Sequence, residues 1–133
     1  MNRIAVGVVV GLLFVPYPAR AQAVGTTETG LAAVYTDALD GHVTASGQIY
    51  SKDKLTAAHK TLPYGTRIKV TNPKNNRNVI LRVNDRGPVQ ANRVLDISPA
   101  AAARLGFSKQ VMREVSVEVV EVGNGKTTKQ NPR

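Results

Sequence analysis

The sequence predicts a small, mainly β fold, a closed β-barrel of about six short strands with one helix. Three observations lead to this prediction. The dominant hydrophobic period after residue 30 is two residues. Turn-forming residues divide the chain into short strands, and one segment carries the caps of a helix. A β-sandwich fits the same periodicity nearly as well, and the pattern alone does not decide between the two folds.

The predicted strands are short runs in which apolar and polar residues alternate. In the clearest run, Val79, Leu81 and Val83 share one face while Arg82 points to the other, and the strand delivers Asp85 at its end. The other candidates are residues 30–35, two strands within 54–72 that Pro63 and Gly65 separate, 93–98 and 114–122. Residues 73–78 are predicted to form a hairpin turn, and residues 37–48 a loop.

One helix interrupts the strands, at about residues 99–105. Ser98 is a favourable N-cap, and Pro99 takes the first helical position, where its missing N–H costs nothing. Ala100 to Leu105 are helix formers, and Gly106 is a typical residue to end a helix. The helix therefore connects the last two predicted strands.

The first 23 residues have the three-part pattern of a secretory signal peptide. A positively charged start is followed by the apolar run Ile4 to Val15 and by small residues that permit cleavage after residue 21 or 23. The apolar run has 12 residues, fewer than the about 20 that span a bilayer. A buried N-terminal helix is the alternative interpretation.

The remaining chain is predicted to form one domain. Residues 24–29 are expected to be a flexible segment, residues 30–122 the barrel, and residues 123–133 a disordered polar tail. The sequence contains no cysteine, so it lacks the thiol of a bacterial lipoprotein signal and forms no disulfide. We therefore expect a free exported protein, periplasmic or extracellular, without stable membrane insertion after cleavage of the leader.

The charge of the mature chain restricts its partners. Loss of Arg3 and Arg20 with the leader leaves 16 basic and 9 acidic residues. A basic exported protein could bind nucleic acid, an anionic membrane surface or an acidic wall polymer. Export argues against nucleic acid, as does the scattered placement of the basic residues. We interpret the charge mainly as a solvated surface, and retention on a polyanionic polymer is the alternative.

The residue types leave few kinds of catalytic site. No glycine-rich phosphate loop precedes the helix, and His42 and His59 have no companion at metal-ligand spacing. Without cysteine or a serine in a nucleophile elbow, covalent acyl transfer has little support. We expect no metal and no cofactor. Asp85 stands out because it follows a buried strand, where barrels present side chains at their mouth, although on the local residues alone a simple turn is the favoured interpretation.

Four linked motifs resemble the rare lipoprotein A family of bacterial wall proteins. They are "TASGQIY", "LTAAHKTLPYGTRIKVTN", "VNDRGP" and "RVLDISPAAAARLGF", and the resemblance runs from about residue 30 to residue 122. It implies a six-stranded double-psi β-barrel, the fold that expansins and some endoglucanases also use. It further implies a monomeric, wall-associated lytic transglycosylase that cleaves peptidoglycan glycan strands, preferably strands without stem peptides. A barrel that binds wall glycan without turnover is the alternative.

The resemblance also assigns roles to individual residues. Asp85 and His59, which are 26 residues apart, match the catalytic aspartate and histidine of the family. Asp85 is expected to protonate the glycosidic oxygen and then to take the proton of the C6 hydroxyl as a 1,6-anhydro end forms. Gln48 occupies the position of a family glutamate, and an amide there cannot transfer a proton.

Three further residues are predicted to contact the substrate. Thr44 lies in the small loop before Gln48, Tyr50 is the candidate for stacking on a sugar, and Arg86 is the candidate for pairing with a lactyl carboxylate. Tyr50, Arg86 and His59 each have a structural alternative. Tyrosine in short strands usually packs in the core, Arg86 could stabilise its own turn, and His59 could be a core histidine bonded to the main chain.

Overall fold

The computed structural model describes residues 23–108 and 112–128. The predicted leader lies outside the described residues, apart from its last position. Six strands and one α-helix are present in the described part: β1 Thr27–Val34, β2 Thr56–Ala58, β3 Arg67–Asn72, β4 Arg77–Asp85, β5 Arg93–Ile97, α1 Pro99–Leu105 and β6 Arg113–Glu121. A short 3-10 turn, Asp37–Leu39, follows β1.

The six strands form a closed barrel in the order β1-β5-β2-β4-β3-β6. β1 pairs with β5, and β2 with β4, in parallel, whereas the other four pairs are antiparallel. Closure decides between the two predicted folds, since a sandwich would leave open sheet edges. The prediction of a mainly β barrel with one helix is confirmed. Within the described residues, no helix is long and apolar enough to cross a membrane.

Alternate residues of the strands fill the barrel interior. Eight aliphatic side chains with at most 2% exposure contribute most of it: Ile68, Val70, Leu81, Val83, Leu95, Ile97, Val115 and Val117. Burial of each such side chain contributes about 1.5–3 kcal/mol to folding. The period of two in the sequence therefore reports the inward face of each strand, and β4 carries this pattern as far as Asp85.

The helix confirms its predicted caps. Ser98 Oγ accepts a hydrogen bond from Ala101 N at 3.2 Å, and the C-cap Gly106 has the left-handed φ of 81°. Asn72 and Asn75, at the β3–β4 hairpin, donate to the carbonyl oxygen of Leu105 at 2.9 and 3.1 Å. The helix thus closes the hairpin end of the barrel, opposite the end at which β4 delivers Asp85.

Contacts of the barrel extend beyond residues 30 and 122 at both ends of the predicted domain. β1 begins at Thr27, because residues 27–29 pair with β6, so these residues are not part of a flexible segment. The segment after β6 is also held: Gly123 N donates to Thr66 Oγ1 at 3.0 Å and Thr127 Oγ1 donates to Ser46 O at 3.0 Å. These contacts use main-chain and hydroxyl groups, which leave no hydrophobic period in the sequence.

Candidate active site

Asp85 ends β4 and is held by donors from three separate segments. Tyr35 Oη, just after β1, donates to Oδ2 at 2.5 Å. Ala45 N, in the loop after the 3-10 turn, and Arg86 N each donate to Oδ1 at 2.9 Å. All three groups donate to Asp85, which is the pattern of a carboxylate that accepts hydrogen bonds.

Tyr35 is the side chain that joins β1 to the Asp85 carboxylate. Burial, followed by the hydrogen bond to Asp85 and the charges of Asp85 and Asp96, raises the pKa of the Tyr35 hydroxyl well above its usual range. The phenol therefore keeps its proton and remains a donor. Its ring stacks on that of Tyr50, with centroids 4.5 Å apart and an angle of 13° between the planes.

Tyr50 is the buried member of the stacked Tyr35–Tyr50 pair. It is only 2% exposed, and Tyr35 covers one face of its ring. The predicted stacking of a sugar on Tyr50 therefore has little exposed ring surface to use. Its buried hydroxyl has no hydrogen-bond partner among the described residues. Burial, with the charges of nearby aspartates, raises its pKa above the usual value.

The loop around Thr44 presents the main-chain donor of Ala45 to Asp85. A bridge between Val43 and Ile49 closes the loop, and Thr44 Oγ1 donates to the carbonyl oxygen of Gln48 at 2.8 Å. Thr44 is 8% exposed and its hydroxyl also contacts Ser46 Oγ. The Thr44 side chain thus helps to hold the shape of the loop.

Gln48 lines a pocket beside the loop. Its Oε1 accepts a hydrogen bond from Asn84 Nδ2 at 3.3 Å, and Asn84 is the neighbour of Asp85 on β4. The pocket has a volume of about 500 Å³ and mixes donors, acceptors and both signs of charge. Its lining includes Asp40, Gln48, Tyr50, Lys54, Arg82 and Asn84. Such a lining suits a neutral or weakly charged polar ligand, such as a sugar.

His59 is joined to Asp85 by the main chain and not by its ring. His59 N donates to Asp85 O at 3.2 Å. The ring nitrogen Nδ1 accepts from the main-chain N–H groups of Thr61 and Leu62 at 3.1 and 3.0 Å, and Nε2 lies 2.6 Å from Glu28 Oε1. Because Nδ1 is an acceptor, Nε2 carries the ring proton and donates a hydrogen bond to Glu28.

Glu28 on β1 fixes the orientation of the His59 ring. The hydrogen bond from His59 lowers the pKa of the Glu28 carboxyl; burial opposes this effect, and the charge of Lys60 supports it. Glu28 therefore stays ionised to lower pH than an ordinary glutamate. The pair connects β1 to the segment after β2, and His59 is 6% exposed.

Arg86 is placed at the rim of the site by its neighbours. Its Cζ lies 4.2 Å from the centroid of the Tyr64 ring, and Nη1 donates to His59 O at 3.2 Å. The residue itself is exposed. A guanidinium held in this way loses little freedom when it binds an anion.

A second aspartate, Asp96 on β5, lies near Asp85. Arg93 Nη2 donates to its Oδ1, and the side chain of Asp96 is 22% exposed. Burial raises the pKa of the Asp96 carboxyl; the hydrogen bond and charge of Arg93 oppose this effect, and the charge of Asp85 adds to it. No group of three or more metal-ligating side chains occurs within the described residues.

The fold and this site can now be compared with known proteins. Residues 27–123 match a family model described as "Lytic transglycolase". The chain belongs to this family, whose barrel is of the double-psi type. The resemblance inferred from the four motifs is thereby confirmed.

Curated relatives carry the same family name in several bacteria. The chain is 42% identical over 115 residues to an "Endolytic peptidoglycan transglycosylase RlpA" of Neisseria meningitidis, covering 86% of this chain and 48% of the relative. A protein of the same name from Rickettsia bellii is 47% identical over 106 residues, covering 77% and 47%. The chain therefore spans about half the length of the relatives it matches.

Two solved structures share the fold at low sequence identity. A Streptomyces papain inhibitor has a TM-score of 0.57 at 23% identity, with 74% of this chain and 97% of that protein covered. An expansin of Clavibacter michiganensis has a TM-score of 0.55 at 22% identity, with 74% and 52% covered. At this identity the likeness concerns the barrel alone.

Several residues of the site were not predicted as site residues from the sequence. Tyr35, Glu28 and the main-chain N–H of Ala45 contact partners 50, 31 and 40 positions away in the chain. Asp96 was not predicted as a site residue either. The signal that could have identified Tyr35 and Asp96 is their position at strand ends, once β1, β5, β2 and β4 are known to be neighbours.

Proposed function

We propose that this protein is an exported endolytic lytic transglycosylase of peptidoglycan. It cleaves the bond from N-acetylmuramic acid to N-acetylglucosamine in glycan strands, preferably strands without stem peptides, and leaves 1,6-anhydro ends. The observation that carries this proposal is the Asp85 carboxylate at the barrel mouth, held by donors from three segments. Membership of the family and the names of its curated relatives support the same reaction.

Asp85 fits the step in which a lytic transglycosylase closes its product ring. The C6 hydroxyl of N-acetylmuramic acid attacks C1 of the same sugar, and its proton must pass to a base within hydrogen-bond reach. Asp85 is an acceptor in all three of its side-chain contacts. The attacking oxygen belongs to the substrate, so no second carboxylate is needed to activate water, in contrast to glycoside hydrolysis.

His59 acts in this proposal as a positioning residue. Its ring is fixed by Glu28 and by two main-chain N–H groups, while its own main chain pairs with Asp85. Substitution of His59 would therefore disturb the β2–β4 contact that places the carboxylate. The catalytic role that the resemblance gives to His59 is exercised through this geometry and not through proton transfer.

The remaining predicted residues bind or frame the glycan strand. Gln48 donates hydrogen bonds to sugar groups from the pocket beside the loop, and Thr44 keeps that loop in shape. Arg86 pairs with the free lactyl carboxylate that appears when a stem peptide has been removed. This pairing gives a physical reason for the preference for stripped strands, and the positive net charge of the chain assists retention on them.

A glycan-binding barrel without turnover is the second candidate. The observation that favours it is Gln48, an amide at the position where the family resemblance places a glutamate. In this alternative, Asp85 and Arg86 hold the strand and no bond is broken. The positive charge then serves only to keep the protein on the wall.

One experiment separates the two candidates. The mature protein is incubated with stem-peptide-free glycan strands, products are analysed by mass spectrometry, and binding is followed by co-sedimentation. We expect anhydro-ended fragments from the native protein and none from Asp85→Asn, with both proteins bound to the strands. If the native protein sediments with the strands but releases no fragments, the enzyme proposal is wrong and the binding role stands.

A further inference from the structure

A second carboxyl group lies level with Asp85 in the barrel. In the strand order β5-β2-β4, Ala58 of β2 pairs with Asp96 on one side and with Asp85 on the other. The main chains of the two aspartates are therefore separated by one strand, a distance of about 10 Å. The β2–β4 register shifts between Ala57 and Ala58, so a β-bulge lies at this level. The charge of Asp85 acts on the Asp96 carboxyl across β2, where Ala58 carries only a methyl group.

Asp96 is oriented by a cation and by the turn that follows Asp85. Arg93 occupies Oδ1, whereas Oδ2 faces Gly87, since a Cβ built on Gly87 would lie 3.6 Å from this oxygen. Gly87 is two residues beyond Asp85 and has a φ of 127°, which favours glycine. One oxygen of Asp96 thus lies against the same turn that presents Asp85.

The environments of the two carboxyl groups differ in kind. Asp85 receives three donors and no described residue accepts from it. Asp96 is more than half buried, and the charge of Asp85 adds to the burial that raises its pKa, against the opposing effect of Arg93. The charged and titratable groups around Asp96 are Arg93 on its own strand, Asp85 on β4 and Tyr35 after β1.

A lytic transglycosylase must deliver a proton to the leaving oxygen as well as accept one. A proton on Asp85 would compete with one of its three donors and so weaken a hydrogen bond to a charged group. Asp96 accepts from Arg93 through Oδ1, so its Oδ2 can carry a proton without displacing a donor from the described residues. Two neighbouring carboxyl groups in different surroundings can divide the acid and base roles between them.

We propose that Asp96 is a second catalytic residue, the general acid that protonates the leaving glycosidic oxygen, while Asp85 is the base. The inference rests on the proposed function. The C1–O bond to N-acetylglucosamine breaks as its oxygen receives the Asp96 proton. The O6–C1 bond forms as the C6 hydroxyl gives its proton to Asp85. Return of that proton from Asp85 to Asp96 restores the site, and no water, oxidant or reductant is consumed.

The test compares two leaving groups. Asp96→Asn and Asp85→Asn are assayed on stem-peptide-free strands and on a short glycan with 4-nitrophenoxide as leaving group, which departs without a proton. We expect Asp96→Asn to lower kcat/KM on strands by about 10²–10⁴-fold and to retain near-native activity on the activated glycan. Asp85→Asn is expected to lose activity on both. Asp96→Glu should restore part of the activity on strands.

The controls separate catalysis from folding. Glu114→Gln changes an exposed carboxylate on β6, the strand opposite β2 in the barrel, and should leave both activities unchanged. Thermal unfolding is measured for every variant. Native-like activity of Asp96→Asn on strands, or an equal loss on both substrates, overturns the acid role of Asp96. An inactive native protein overturns the proposed function itself.

A second measurement does not depend on turnover. The ¹³C resonance of the Asp96 carboxyl is titrated in the native protein and in Asp85→Asn. We expect its midpoint to lie above the ordinary aspartate range and to fall when the Asp85 charge is removed. An ordinary midpoint that is the same in both proteins contradicts the coupling between the two carboxyl groups.

Discussion

The two ends of the barrel use polar side chains in opposite ways. At the hairpin end, Asn72 and Asn75 both donate to the Leu105 carbonyl, so polar side chains satisfy the end of a helix. At the other end, donors converge on Asp85, and Tyr50 Oη is buried without a partner among the described residues. The first arrangement stabilises the fold. The second holds the Asp85 carboxylate where it can react and leaves the Tyr50 hydroxyl unpaired, which costs some stability.

If the two ends differ in this way, substitutions at the Asp85 end should change activity, and substitutions at the hairpin end should change stability. Asp85→Asn should have the largest effect. The amide can still accept from Ala45 and Arg86 through Oδ1, while Tyr35 can accept from Nδ2, so packing is preserved. We expect kcat/KM on glycan strands to fall by about 10²–10⁴-fold, because the base is lost. The free energy of unfolding, measured in urea, should change by less than about 1 kcal/mol.

Asp53→Asn is the matched control for this substitution, since Asp53 is an exposed loop carboxylate. It should leave kcat/KM unchanged. A comparable loss of activity in both variants would mean that overall charge, and not the base at the barrel mouth, controls turnover.

Asn72→Ala should lower stability and leave activity unchanged. Asn72 is 7% exposed, donates to Leu105 O and accepts from Lys74 N at 3.0 Å. Its removal takes one of the two donors from Leu105 O and the acceptor from Lys74 N, and we expect a loss of about 0.5–1.5 kcal/mol in the free energy of unfolding. kcat/KM at a temperature where the variant is folded should equal the native value, and a large drop there would show that the two ends are coupled.

Tyr35→Phe tests the donor from β1 to the carboxylate. Loss of this hydrogen bond should lower kcat/KM by about tenfold, since a bond to a charged group is removed. Tyr50→Phe is the matched control in the same stacked pair, and its hydroxyl has no partner to lose among the described residues. Equal effects of the two substitutions would assign the loss to ring packing instead.

The smallest effect is expected at the Glu28–His59 pair, and it depends on pH. The folded-state pKa of Glu28 is below its ordinary value of 4.5, so ionised Glu28 stabilises the fold above that pH. The contribution is lost as pH falls through the folded pKa. Because the Glu28 side chain is 44% exposed, we expect less than about 1 kcal/mol.

Urea unfolding of the native protein and Glu28→Gln at neutral pH and near pH 3 measures this contribution. The difference in unfolding free energy should be present at neutral pH and should shrink in acid. A difference that grows as the pH falls would contradict the proposed direction of the Glu28 shift. Glu114→Gln provides the control for the substitution itself.

The fold was predictable from local signals in the sequence. The alternation of Val79, Leu81 and Val83 reports one buried face of β4, and Ser98, Pro99 and Gly106 mark the helix ends. Barrel closure was not decided by these signals, because strand order depends on contacts between distant segments. Contacts at the two ends of the domain give no such signal, because residues 27–29 and 123–127 are held by main-chain or hydroxyl groups that have no hydrophobic period.

The site was predictable only at its centre. Asp85 could be singled out because it follows a buried strand, and the family motifs added His59. The sequence could not show that His59 faces Glu28, since this depends on how β1 lies beside the segment after β2. A main-chain donor such as Ala45 N cannot be recognised from residue types. Tyr50, which was predicted to stack on a sugar, is the buried member of the Tyr35–Tyr50 pair, and only the packing shows which of the two rings is buried.

The central claim is that Asp85 serves a reaction in which the substrate supplies its own nucleophile. The most direct test is digestion of stem-peptide-free strands in water enriched in oxygen-18, followed by mass spectrometry of the fragments. The account predicts 1,6-anhydro ends that contain no heavy oxygen. Reducing ends that carry oxygen-18 would show that water attacks C1, and would contradict it.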